Sequence, residues 1–172
     1  MANPKRTPSA EEMDARIGRY DELTPMSTTD DLDWVPQEAW DVFFARKIMA
    51  VVLEDTNSPF GDRAPIKGAE GLTMFISHLP PGQGPCLHDH NNTYETFMVL
   101  QGSIEYRVGN PVTHKRVLNQ WDVFSCPPGV YREFRNVGDE LAVQLTILTG
   151  PVERDDVTIP HVVRERVERE YG

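Results

Sequence analysis

Two histidines one residue apart, His88 and His90, and an acid five positions on, Glu95, are the residues of this chain best placed to do chemistry. In an extended backbone, residues i and i+2 face the same way about 6.6 Å apart. Both imidazoles can therefore reach one ion at roughly 2.1 Å from each nitrogen. Asn91–Asn92 tolerates the turn that brings the chain back. Glu95 then opens the next extended run and can add a carboxylate oxygen. Two imidazoles and one carboxylate suit a divalent transition metal and leave coordination positions open. A lone histidine is more often a partly buried polar side chain, and His78, His114 and His161 are read that way.

Such side chains need strands to hold them. From about Gly71 the chain has a β-like texture. Leu72–Leu79, Glu95–Leu100, Ser103–Val108, Val117–Leu118, Val123–Phe124, Tyr131–Phe134 and Leu141–Leu148 are apolar-rich runs separated by Gly, Pro and Asn signals. Short runs at intervals of roughly ten residues predict an antiparallel sandwich or barrel. In Gln37–Val52 the residues Trp40, Phe43, Phe44, Ile48 and Val51 fall at helical spacing, although Val51–Val52–Leu53 can equally begin a strand. A helix over Ala10–Leu23 with Ser9 as N-cap is expected in the N-terminal part. At the other end, Val163, Val167 and Tyr171 recur every four residues, with Glu165 and Arg169 as an i,i+4 pair. That spacing predicts a short amphipathic helix over His161–Tyr171 docked on the barrel exterior. The chain accordingly divides into a polar arm (1–35), a barrel with a helical or strand cover (36–150) and a C-terminal extension (151–172).

The spacing Gly82–x5–His88–x–His90–x4–Glu95–x6–Gly102 resembles the first sequence motif of the cupins at every named position. A second stretch from Trp121 to Asn136 is similar to the second cupin motif, with Pro127, Gly129 and Asn136 in place. Trp121 stands where that pattern has a glycine before Asp122, and Arg132 stands where it has its last metal-ligating histidine. The resemblance covers roughly residues 70–150. It implies an all-β, cupin-type double-stranded β-helix: a jelly-roll barrel with an internal pocket, flanked here by an N-terminal arm and a short C-terminal helix. It also implies frequent dimerisation, hence a homodimer. It is much less specific for activity, since cupins include dioxygenases, decarboxylases, isomerases, lyases, storage proteins and sugar-binding sensors.

A guanidinium is permanently charged and has five donors but no lone pair, so Arg132 cannot replace the histidine as a ligand. Three readings follow. Arg132 binds a substrate anion beside a metal held by His88, His90 and Glu95. Alternatively it pairs with Glu95, and its cation substitutes for the metal. In the third, it turns out to solvent. Strand parity adds candidates for the substrate wall. Phe97 and Val99 share the face of Glu95, Phe134 and Asn136 share that of Arg132, and Tyr106 brings a hydroxyl from the face of Ile104. Barrel packing is the plainer role for Phe97 and Phe134. Tyr94, beside Thr93, is either a gate or a surface turn residue. Cys86 shares the parity of the histidines and reads as a small buried hydrophobe rather than a ligand. Asp89 faces away from the site, with a solvated or turn-stabilising role. His114–Lys115–Arg116 is a small basic cluster expected on a loop.

Composition limits the partners. With 17 basic and 27 acidic residues the formal charge is −10, which argues against a phosphate backbone or an anionic membrane surface. The arm alone carries −4. No run approaches a membrane span, and the start lacks the apolar stretch of a signal peptide. Two cysteines, Cys86 and Cys126, are too few for a disulfide scaffold, so a reducing, cytoplasmic setting is expected. The function expected is a metal-dependent enzyme acting on a small anionic molecule, with oxygenase-type chemistry and Arg132 as the substrate-binding, catalytic cation. Iron(II) suits the ligand set best, and manganese, nickel or zinc also accept it. Isomerase, decarboxylase or lyase chemistry is compatible with the same site. The alternatives from other classes are a metal-free small-molecule-binding protein built on an Arg132–Glu95 pair, and a structural barrel with a relict pocket.

Overall fold

The structure, a computed structural model, describes residues 5–25, 39, 47–54, 63–151 and 156–171. The helix α1 (Ala10–Asp14) comes first. The strands follow as β1 (Lys47–Glu54), β2 (Ile66–Gly68), β3 (Leu72–Leu79), β4 (Asp89–His90), β5 (Tyr94–Gln101) and β6 (Ser103–Val108). Next are β7 (His114–Asn119), β8 (Val123–Cys126), β9 (Arg132–Asn136), β10 (Ala142–Thr149) and β11 (Val157–Thr158), and helix α2 (His161–Tyr171) closes the chain. One sheet has the order β2-β1-β3-β10-β5-β8, a second the order β7-β6-β9, and β11 pairs with β4. From β5 to β10 the chain crosses between the two larger sheets, at β5–β6, β7–β8, β8–β9 and β9–β10, as in a jelly roll. Among the described residues, no helix is long and apolar enough to cross a membrane.

The period-2 pattern in the sequence sets which side chains enter the barrel. Strand β5 buries Glu95, Phe97 and Val99, and β10 buries Ala142, Gln144, Thr146 and Leu148. From the opposite sheet, β9 buries Arg132, Phe134 and Asn136, and β6 buries Ile104 and Tyr106. These inward faces meet in one core that also takes Leu79 and Cys126. Its centre is aromatic, with the Phe97 ring 5.0 Å from Phe134 and 5.3 Å from Tyr106 between centroids. Such edge and tilted pairs add to area burial through their quadrupoles.

The segment that carries the histidines is held against β9 by backbone hydrogen bonds. Gly82 N–H donates to Asn136 O at 3.0 Å and Asn136 N–H to Gln83 O at 2.9 Å. Further along, His88 and Arg132 exchange two backbone bonds, of 3.0 and 2.8 Å. Between these anchors the two backbones nearly touch. A Cβ on Gly84 would lie 1.9 Å from the Phe134 carbonyl oxygen, so only glycine fits.

Several expectations change. The helix expected over Ala10–Leu23 is limited to α1, with a separate 3₁₀ turn at Tyr20–Glu22. Ser9 does cap it, accepting from Glu12 N–H at 3.1 Å, but α1 buries no side chain, and a helix that short gains nothing from packing to extend it. Within Gln37–Val52, where the spacing left helix and strand open, residues 47–52 are strand, since β1 pairs with β3 and β2. Trp40, Phe43 and Phe44 lie outside the described residues. His114–Lys115–Arg116 is on strand β7, paired with β6, and not on a loop. Asp89 is buried at 7% exposure rather than solvated, in β4 where it pairs with Thr158 of β11. Trp121 has φ of 75°, which explains the glycine of the motif: a left-handed residue with a Cβ costs about 1–2 kcal/mol.

The close approach at Gly84 is testable. Gly84→Ala must separate the histidine segment from β9, and a loss of about 3 kcal/mol in urea unfolding is expected. An unchanged midpoint would contradict the packing described.

Candidate metal centre

Three elements bring the predicted ligands together. His88 directly precedes β4 and His90 ends it, Glu95 comes from the start of β5, and Arg132 at the start of β9 is bridged to His88. All are buried, at 8%, 5%, 7% and 0% exposure respectively. The donor atoms of His88, His90 and Glu95 lie within 4.8 Å of one another. Nε2 of each imidazole is 3.8 Å from the same oxygen, Glu95 Oε2. Bonds of about 2.1 Å to one ion put neighbouring donors roughly 3 Å apart, so a small side-chain rotation suffices to close the set. Two imidazole nitrogens and an ionised carboxylate are donors suited to a divalent transition metal.

Arg132 does not turn to solvent. Its Nε donates to Glu95 Oε2 at 2.8 Å, and Nη1 donates to the Val130 carbonyl at 3.3 Å. Nη2 approaches Oε2 at 2.7 Å without the alignment of a hydrogen bond, and among the described residues its N–H groups have no acceptor. Burial alone would raise the Glu95 carboxyl, but the His88 imidazole and the charges of Arg132 and His90 outweigh it and hold the group at about 2. The carboxylate is thus ionised and ready to ligate.

Of the remaining predicted residues, Phe97, Phe134 and Tyr106 are buried in the core and Tyr94 is exposed. Phe97 (0% exposed) and Phe134 (5%) lie in the aromatic core next to the site-bearing ends of β5 and β9. Tyr106 packs against both, and its hydroxyl donates to Gln144 Oε1. Burial and the Glu95 charge push that phenol far up. Tyr94 is 51% exposed and, by alternation along β5, faces away from Glu95. Cys86 is a free thiol packed against Val167, and burial lifts it to about 12, away from ligation.

Two groups of residues were missed. Asp156, 1% exposed, lies 2.7 Å from His90 Nδ1 through Oδ2 and accepts from the Thr93 hydroxyl at 2.6 Å and from Asn92 N–H at 2.7 Å. Burial would raise its carboxyl, but the bonds from His90, Thr93 and Asn92 lower it. Nothing local marks Asp156, which lies 66 positions from His90. The second group is Gln144 and Thr146, hydrogen-bonded to each other at 3.1 Å inside the barrel. Their signal was available, as polar residues on one face of the apolar run Leu141–Leu148.

Comparison with protein families matches residues 75–148 to a Cupin domain. Among solved structures, the capsular polysaccharide assembling protein CapF from Staphylococcus aureus is similar at 16% identity and a TM-score of 0.52, over 66% of this chain and 31% of that one. The Schizosaccharomyces pombe Cnp3 cupin domain is similar at 18% identity and a TM-score of 0.47, over 60% of this chain and 64% of that domain. A double-stranded β-helix protein from Klebsiella pneumoniae shows 21% identity and a TM-score of 0.48, over 55% and 74%. The match thus spans under two thirds of the Cnp3 domain and under a third of CapF. At these identities the likeness concerns the fold alone. No curated protein sequence matches the chain.

The Arg132–Glu95 pair gives a pH-dependent prediction. A carboxyl held at about 2 against an ordinary value of 4.5 contributes stability that is present above about pH 4.5 and lost as pH falls through about 2. Glu95→Gln strands a buried guanidinium and is expected to cost about 3–5 kcal/mol at neutral pH. The deficit relative to wild type should narrow between pH 4.5 and pH 2, as read by denaturant unfolding at several pH values. A constant deficit would show that ionised Glu95 is not the stabilising species.

Proposed function

The chain belongs to the cupin superfamily, and from that premise we propose that it is a metal-dependent enzyme acting on a small anionic organic molecule, with oxygenase-type chemistry at His88, His90 and Glu95. The observation that carries this reading is the buried convergence of three donor atoms within 4.8 Å, with both Nε2 atoms turned to one carboxylate oxygen. A divalent transition metal held there would supply Lewis-acid and redox chemistry at the positions the protein leaves free. Iron(II) suits the donors best, and manganese, nickel or zinc fit the same set. The superfamily hosts many reactions, so the activity rests on the site and not on the fold.

The chain's own residues supply binding and exclusion of water. Arg132 keeps Glu95 ionised through Nε, and the unsatisfied N–H groups of Nη2 call for an anionic oxygen, which a substrate carboxylate provides. Phe97, Phe134 and Tyr106 make the apolar wall that excludes water, with the Tyr106 hydroxyl held by Gln144. Tyr94 belongs to the rim. The cytoplasmic setting and homodimeric assembly expected from the sequence belong to the same proposal.

A second reading has its own observation. The contacts of 2.8 and 2.7 Å from Arg132 to Glu95 are those of a self-sufficient ion pair, which favours a metal-free small-molecule-binding protein. Metal analysis by mass spectrometry on anaerobically purified protein separates the two. About one transition-metal ion per chain, lost in His88→Ala, is expected. Arg132→Met should then weaken ligand binding while leaving metal content intact. No metal above background after anaerobic reconstitution would overturn the enzyme reading in favour of the metal-free one.

A further inference from the structure

We infer that Asp156 is a positioning residue for His90: it holds the imidazole as the Nδ1–H tautomer, turns the Nε2 lone pair into the centre, and so makes the C-terminal segment part of the site. The inference rests on the reading of His88, His90 and Glu95 as a metal centre. His90 Nδ1 lies 2.7 Å from Asp156 Oδ2 and 2.8 Å from Thr93 Oγ1. The Thr93 hydroxyl donates its own hydrogen to Oδ2 at 2.6 Å. An ionised carboxylate only accepts, so the hydrogen between Asp156 and His90 sits on Nδ1. A neutral imidazole has a single N–H, which leaves Nε2 as a lone pair, and that atom is the one 3.8 Å from Glu95.

Asp156 also fixes the turn that follows His90. Its Oδ1 accepts from Asn92 N–H and its backbone carbonyl from Asn91 N–H, each at 2.7 Å. The next residue, Val157, pairs directly with His90 in the β11–β4 ladder. The two candidate ligands are therefore oriented by different means. His88 Nδ1 bonds the carbonyl of Cys86, two residues away, at 2.7 Å, whereas His90 depends on a side chain from beyond the barrel. Carboxylates that take the second N–H of a ligating imidazole fix its tautomer and ring angle and raise its basicity, and their loss typically lowers metal affinity 10–100-fold.

The conservative variant Asp156→Asn tests this. An asparagine keeps one acceptor oxygen. The backbone N–H of Asn92 claims it, so the amide NH₂ meets His90 Nδ1 and demands a lone pair there, which moves the ring proton to Nε2. Long-range proton–nitrogen spectra of the metal-free, full-length protein read the tautomer, and titration with Co(II) alone reads the centre. The expected result is Nδ1–H at His90 in wild type, Nε2–H in Asp156→Asn with His88 unchanged, and Co(II) binding weakened 10–100-fold at an unaltered unfolding midpoint. Retention of the Nδ1–H tautomer and of Co(II) affinity in the variant would overturn the inference and leave the metal reading standing. A wild type that binds no Co(II) would remove the metal reading, while the tautomers in the two proteins still decide the role of Asp156. Should the variant not fold, the wild-type spectrum decides: Nε2–H at His90 overturns the inference.

Discussion

A permanently charged guanidinium with no exposure to solvent is the constraint around which this barrel is arranged. Arg132 cannot shed its charge, and an isolated ion in the protein interior is far too costly to keep. The compensating carboxylate must come from within reach, and Glu95 supplies it from the facing sheet at 2.8 Å. The ion pair thus ties β9 to β5 across the barrel. The same carboxylate faces both imidazoles, so one anionic oxygen anchors the fold and forms the centre of the candidate site.

Around that pair the interior is zoned. An aromatic cluster of Phe97, Tyr106 and Phe134 lies beside it, interrupted by the hydrogen-bonded side chains of Gln144 and Thr146. Polar groups at that depth are tolerable because they are bonded to each other. The chain's net charge of −10 repels anions at long range, so the anionic ligand proposed above would have to be recognised by local donors such as those of Arg132 Nη2 rather than by steering. Segments outside the barrel strands then close the centre from behind, through Asp156 and the pairing of β11 with β4.

Much of this was legible because strand parity is a strong local rule. Once Glu95–Leu100 and Tyr131–Phe134 are read as strands, Phe97 must share the face of Glu95 and Phe134 that of Arg132, and both pairs point inward. The runs Leu72–Leu79 and Ser103–Val108 coincide with β3 and β6 because each is bounded by Gly or Pro, and His161–Tyr171 coincides with α2, which begins after Pro160. Where local signals compete, the reading stayed open. Gln37–Val52 allowed helix or strand, and Lys47–Val52 lies in the six-stranded sheet, where pairing with two neighbours outweighs an isolated helix. The basic cluster at His114 is strand for the same reason.

Residue types and their spacing by themselves determined the β-architecture, the candidate trio His88, His90 and Glu95, and the displacement of a histidine by Arg132. These are properties of short stretches, in which a period of two residues dictates orientation. Only the tertiary structure decided which partner Arg132 takes, how deeply Asp89 is buried, and that Asp156 reaches His90. Those outcomes depend on contacts between segments tens of residues apart, where desolvation and hydrogen-bond demand, rather than local preference, select the neighbour.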